Sequence, residues 1–310
     1  MGETLELEQV GIPCSLEREI ETAEAASPGL VLAGFVSRFP SERLQVFGET
    51  EIRYLEALPA EQRRANLERY FGYAMPCVFV AKSQDLPEEL IEIAGRAGVP
   101  LLRSRLKTAE FYRRLKPYLH EEFAPTTTLH GSFADIYGVG LFFTGPSGIG
   151  KSECVLDLVE RGHRLVADDL LILKRRGADI LIGRGHELQR HYMEIRGIGL
   201  IDVPKIFGVR AVRQQKRLEV VVRLEEWQAD MPVERTGLDE QTTTILGVEI
   251  PLITVLLNPG KNITVIAEVI AMNHLLRYTG VNPAEQFNDR LITRMREAAD
   301  VRRYLQEDNE

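Results

Sequence analysis

At 310 residues, with 44% hydrophobic and 27% charged side chains, the chain has the make-up of a soluble globular protein long enough for two cores. A net charge of −8 argues against non-specific nucleic-acid binding as the main task. No uncharged apolar stretch approaches the roughly 20 residues that cross a membrane, and the first residues lack the basic-then-apolar order of a secretory signal.

In chain order, the N-terminal part alternates strand-like and helical runs. Residues 29–35 form a candidate strand, followed by 43–47 and 76–80. Helical patterns fall within 41–58 and over 87–97 and 108–123, with one more short strand at 100–103. The alternation predicts a small α/β domain with a mostly parallel sheet over residues 1–125. It carries no glycine fingerprint and no clustered catalytic residues, so a regulatory or assembly role is expected for it. The run Ala124-Pro125-Thr126-Thr127-Thr128 is the predicted boundary, and a second domain occupies residues 126–310.

In that second domain Val139–Thr144 is a predicted strand and 153–161 a predicted helix, which Gly162 would end. Further strands are expected at 165–167, 179–183, 218–224 and 251–257, then helices at 267–278 and 283–305. Between the first strand and helix lie Gly145, Pro146, Ser147, Gly148, Ile149, Gly150, Lys151 and Ser152, a phosphate-binding loop of the form GxxxxGKS. The three glycines permit backbone angles closed to other residues, so successive N–H groups can turn toward phosphates. Lys151 reaches the β- and γ-phosphates of a nucleotide such as ATP, and the Ser152 hydroxyl suits Mg²⁺.

A phosphate loop alone says only that a nucleotide binds. Two further segments carry candidate chemistry. In His163-Arg164-Leu165-Val166-Ala167-Asp168-Asp169 a short apolar strand empties into paired aspartates, which either hold Mg²⁺, take a proton, or form an exposed turn. The stretch Met193-Glu194-Ile195-Arg196-Gly197-Ile198-Gly199-Leu200-Ile201-Asp202 sets charged tips among apolar anchors, or is a solvated strand with a glycine turn. His130 and Arg235 are weaker candidates. His120, His163, His186, His191 and His274 show no ligand spacing, so Mg²⁺ is the expected metal. Cys14, Cys77 and Cys154 are widely spaced without a CxxC, as in reduced cytoplasmic proteins. Cys154 is either a small helix residue or a thiol activated by the helix N-terminus. The motif by itself also fits a small-molecule kinase or a non-catalytic nucleotide sensor.

Taken together, His130-Gly131, the phosphate loop, the stretch 161–169 and the stretch 193–199 resemble the bifunctional HPr kinase/phosphorylase family of bacteria in order and spacing. The similarity covers residues 126–310, and the first 125 residues resemble the family's variable N-terminal domain. The resemblance implies ATP-dependent phosphorylation of a serine on the phosphocarrier protein HPr. It also implies removal of that phosphate by phosphorolysis, with inorganic phosphate entering and pyrophosphate leaving. Carried over by motif, Asp169 is the catalytic carboxylate, Ser152 and Glu194 are Mg²⁺ ligands, and His130, Lys151 and Arg235 complete the active site. The implied fold is α/β, with a small N-terminal α/β domain and a C-terminal P-loop kinase domain resembling phosphoenolpyruvate carboxykinase. A homohexamer is implied, in which the two predicted helices after Ala267 help form the neighbour's substrate site. The family's arginines flanking a Pro-Gly are replaced here by Asn258 and Lys261, so weaker phosphate handling is expected in the reverse reaction.

Overall fold

The computed structural model describes residues 1–227, 241–258, 260–280 and 282–307, with side chains as far as residue 299. The chain divides into two compact units, Met1–Ala124 and Pro125–Glu310.

The first unit contains β1 (Leu7–Val10), β2 (Ala25–Ala26), α1 (Gly29–Leu32), β3 (Leu44–Phe47), α2 (Glu49–Ala57), α3 (Ala60–Phe71), β4 (Val78–Val80), α4 (Glu88–Arg96), β5 (Leu101–Ser104) and α5 (Thr108–Glu122). Its sheet has the order β1-β5-β4-β3-β2, with only β1 antiparallel to its neighbour. Every residue of β3 and β4 is buried because helices cover both faces. One face packs Phe47, Val78 and Val80 against Ile52, Leu67, Tyr70 and Leu90. The other packs Val46 and Phe79 against Phe111, Leu115 and Leu119, one apolar stripe at four-residue spacing along α5.

Two expectations needed correction here. Residues 29–35 hold the short helix α1 rather than a strand, with Leu30 and Phe35 exposed and Val31 and Leu32 buried. Gly34, at φ +100°, follows it. So short an apolar run has no periodicity that separates strand from helix. Helix α3 lay outside the expected helices; its buried Asn66, Leu67, Tyr70 and Phe71 sit in a largely charged sequence.

The second unit opens with β6 (Thr126–His130), β7 (Ser132–Ile136), β8 (Val139–Thr144), α6 (Lys151–Glu160), β9 (Arg164–Ala167), β10 (Leu170–Arg176) and β11 (Ile180–Gly185). It continues with the hairpin β12 (Tyr192–Ile195) and β13 (Gly199–Asp202), then α7 (Val203–Phe207), β14 (Lys216–Arg217), β15 (Val220–Glu226), β16 (Thr242–Ile245) and β17 (Val248–Leu257). Helices α8 (Ile263–Tyr278) and α9 (Pro283–Glu307) follow. A six-stranded sheet runs β16-β17-β15-β8-β7-β9, and a four-stranded antiparallel sheet runs β14-β11-β10-β6.

Side-chain alternation sorts the six-stranded sheet into two faces. Ala134, Ile136, Leu141, Phe143, Val220, Val222 and Leu224 pack with Val155 and Leu158 of α6 and with Ala267 and Ile270 of α8. Phe133, Phe142 and Val221 pack with Leu171, Leu173 and Leu181 of the smaller sheet. The unit is thus layered as helices, sheet, sheet. Because β7 is antiparallel to both neighbours, β8 and β9 point the same way with β7 between them. Their C-terminal ends share one edge of the sheet, and that edge carries the site.

A charged cluster ties this layer together behind the site. Glu268 of α8 accepts from Arg161 through Nε at 3.0 Å and Nη2 at 2.5 Å, and it pairs with His163 Nε2 at 3.0 Å. Tyr137 OH stands farther off at 3.4 Å and meets the His163 ring edge-on. These hydrogen bonds, that of Arg161 first, hold the Glu268 carboxyl down to about 2. Charges buried in this way are tolerated only when paired, so α8 is fastened at one spot to the end of α6 and the start of β9.

Candidate functional site

The phosphate loop follows β8 directly, and its glycines are required by shape. At Gly145, φ +145°, an added Cβ would come 2.5 Å from the Leu224 carbonyl oxygen. Gly150 is left-handed at φ +99° and forms the N-cap of α6, whose first residues are Lys151 and Ser152. The helix N-terminus therefore points its free N–H groups at the loop, a ready anion site. Lys151 Nζ donates to the carbonyls of Gly145 at 3.0 Å and Pro146 at 2.9 Å.

Beyond the intervening β7, Asp168 follows directly after β9 and turns its carboxylate to the start of α6. Ser152 Oγ donates to Asp168 Oδ1 at 3.0 Å, and Ser132 Oγ donates to the same oxygen at 2.5 Å. Asp168 is only 7% exposed. Burial pushes its carboxyl above the ordinary range, against hydrogen bonds from Ser132, Ser152 and the backbone of Asp169 and Glu194. The Ser152–Asp168 pair offers the hard oxygen donors that Mg²⁺ takes when nucleotide phosphates complete its shell.

Asp169 behaves differently. Leu170 N donates to Asp168 O at 2.8 Å, a three-residue turn with Asp169 at its centre at φ +65°. That conformation costs of order 1–3 kcal/mol for a residue other than glycine, and such strain clusters at functional sites. The turn throws the Asp169 side chain outward, 67% exposed, with Oδ1 3.8 Å from His130 Nδ1. His130 is placed by strand register, since it pairs with Leu170 across β6 and β10. Gly131 N donates to Asp169 O at 3.0 Å. A side chain at Gly131 would strike the Phe143 carbonyl, 2.3 Å from a built Cβ.

The hairpin β12–β13 supplies the last group. Met193 and Ile195 are buried in the core beneath α6, and Glu194 between them is exposed. Arg196 follows, and a Cβ on Gly148 would lie 3.2 Å from its guanidinium, so that charge sits over the tip of the phosphate loop. Lys261 Nζ donates to Leu256 O at 2.6 Å. Arg235 lies outside the described residues, as does Pro259 of the segment 256–261. Cys154 is a buried helix residue whose thiol burial pushes up to about 12, so the activated-thiol alternative falls.

The structure thus brings together Lys151, Ser152, Asp168, Asp169, His130 and Arg196 at one sheet edge. The sequence offered Asp168 and Asp169 as a pair for Mg²⁺ or proton transfer and the family resemblance singled out Asp169; Ser132 was not among the candidates. The signal for Ser132 was slight, a polar residue opening a strand that also carries Asp135. The signal for Glu268 was one carboxylate in the apolar run Ile263-Thr264-Val265-Ile266-Ala267 to Met272.

Comparisons with known proteins agree along nearly the whole chain. The family model for the HPr Serine kinase N terminus matches residues 2–119, and that for the HPr Serine kinase C-terminal domain matches residues 121–291. The HPr kinase/phosphorylase of Chloroherpeton thalassium is 48% identical over 275 residues, which is 89% of this chain and 81% of that protein. That of Bacillus mycoides is 43% identical over 291 residues, 94% of each chain. Among solved structures, the Hpr(Ser) kinase/phosphatase from Coxiella burnetii is 37% identical, covering 52% of this chain and 98% of that one, at a TM-score of 0.47.

Proposed function

The chain belongs to the HPr serine kinase family, and we propose that it phosphorylates a serine of HPr with ATP and removes that phosphate by phosphorolysis. The observation that carries this reading is the Ser152–Asp168 contact of 3.0 Å at the start of α6, with the exposed Asp169–His130 pair beside it. One edge then holds phosphate binding, metal-suited oxygens and an open carboxylate.

Phosphoryl transfer needs aligned partners and neutralised oxygens more than covalent help from the protein. The loop N–H groups and the α6 terminus bind the phosphates of ATP. Lys151 adds its charge once it leaves the carbonyls of Gly145 and Pro146. Ser152, Asp168 and Glu194 are the residues that would hold Mg²⁺, which when bound neutralises phosphate oxygens. Asp169 accepts the proton of the incoming serine hydroxyl, because its carboxylate stands clear of the buried pair. In reverse, the protonated Asp169 returns that proton to the serine oxygen as inorganic phosphate attacks phosphorus and pyrophosphate forms. Arg196, His130 and Arg235 steady the phosphate in both directions.

Assembly into a homohexamer and a cytoplasmic setting belong to the same proposal. Helix α8 exposes Val265, Val269, Met272 and Leu276 along one stripe, and α9 exposes Phe287, Leu291 and Met295. Stripes of this kind support contact between copies. The N-terminal unit would serve regulation or assembly.

The test is to incubate the purified protein with Mg²⁺-ATP and HPr and to read the intact mass of HPr. One phosphate gained on serine, then lost on adding inorganic phosphate with pyrophosphate appearing, is the expected result. Gain without loss would restrict the enzyme to kinase activity and point to Asn258 and Lys261. Bound ATP without any change in HPr would refute the acceptor.

A further inference from the structure

Asp168 has a hydroxyl partner that the phosphate loop does not supply. Ser132 Oγ donates to Asp168 Oδ1 at 2.5 Å, the oxygen that Ser152 Oγ reaches at 3.0 Å. Ser132 is 1% exposed. It opens β7, the strand between β8, which leads into the phosphate loop, and β9, which Asp168 directly follows. Its row on β7 continues as Ala134 and Ile136, both packed in the core beneath α6. A hydroxyl at such a place needs a partner inside the protein, and Asp168 meets that need.

Topology makes a bridge necessary. Neighbouring strands lie about 4.8 Å apart, so the ends of β8 and β9 are separated by about 10 Å with β7 between them. Ser152 spans the gap from the helix side. Ser132 fills it from the sheet, on a strand anchored by pairing on both edges.

We infer that Ser132 is a positioning residue, holding Asp168 Oδ1 from the rigid sheet so that the carboxylate keeps its aim at the phosphate loop while the Ser152 hydroxyl serves the Mg²⁺-nucleotide. This rests on the proposed nucleotide site. With Ser132 removed, Ser152 is the one remaining side-chain hydroxyl on that oxygen among the described residues, and it is the group the ligand engages. Loss of such an outer partner typically weakens metal binding by about tenfold or more.

Two variants separate the hydroxyl from the space it fills. Ser132→Ala deletes the donor, and Ser132→Cys keeps the shape with a poorer donor. Mn²⁺ affinity of the protein–ADP complex is read by electron paramagnetic resonance. Affinity for a fluorescent ADP in EDTA and the urea midpoint serve as controls. We expect Mn²⁺ affinity to fall about tenfold in Ser132→Ala and by less in Ser132→Cys, with metal-free ADP affinity unchanged. Equal Mn²⁺ affinity in wild type and both variants would overturn the role of Ser132 and leave the nucleotide site standing. A wild-type protein that binds ADP but no Mn²⁺ with it would overturn both. Should the alanine variant fail to fold, the cysteine variant decides by the same comparison.

Discussion

Glu268→Gln should loosen the second unit at neutral pH and matter progressively less in acid. The carboxyl is held from an ordinary 4.5 down to about 2, first by the hydrogen bond of Arg161 and then by that of His163. The difference, 4.5 − 2, corresponds to about 3 kcal/mol in favour of the ionised form. Arg161 is 44% exposed, so water restores part of what Gln takes away, and about 2 kcal/mol is the expected loss. The folded value lies below the unfolded one, so the contribution is complete above about pH 5 and disappears as pH falls from 4.5 through 2. At about pH 4 roughly a quarter of it is gone. Urea unfolding followed by Trp227, the sole tryptophan and a residue of the second unit, measures this directly. Protein concentration must be held constant, since self-association of the kind proposed would add to apparent stability. Equal midpoints at neutral pH, or a gap between wild type and variant that does not narrow toward about pH 4, would refute the assignment.

Three further outcomes follow from named contacts. Asp169→Asn should lower both phosphorylation and phosphorolysis by about 10²–10⁴-fold while ADP affinity stays within about threefold, because the side chain is exposed and outside the phosphate loop; turnover near wild type would remove Asp169 from the proton transfer. Gly145→Ala should cost about 1–3 kcal/mol and weaken ADP binding, since its φ of +145° and the Leu224 oxygen 2.5 Å away leave no place for a methyl group. Thermal unfolding and nucleotide titration check that, and an unchanged Tm with unchanged affinity would contradict it. Burial pushes the thiols of Cys77 and Cys154 up to about 12, so at about pH 8 their thiolate fraction is about 10⁻⁴. A disulfide reagent should therefore modify the less buried Cys14 first in the native protein. Three equally fast thiols would show the burial to be wrong.

What the sequence determined by itself was local and periodic. Val139–Thr144 and the start of α6 flank a loop whose glycines, lysine and serine need only a few consecutive residues to declare their chemistry. Long helices such as α5 and α9 announced themselves because a 3.6-residue repeat accumulates over several turns. The order and spacing of the motifs also placed the chain in its family, with which the family models agree. The four residues of α1 are too few for a period, so it read as a strand, and α3 escaped notice because its few buried apolar residues sit in a largely charged sequence. The division of labour between Asp168 and Asp169 was decided only by tertiary structure. Adjacent residues in one turn became a buried ligand-like carboxylate and an exposed one because β9 ends in the core and Asp169 takes a left-handed backbone. Likewise Ser132 and Ser152 with Asp168, and Glu268 with Arg161, are apart in sequence and meet only because the strand order inserts β7 between β8 and β9 and lays α8 beside α6. Contacts across strands and layers depend on which elements become neighbours, and no local pattern of residue types encodes that choice.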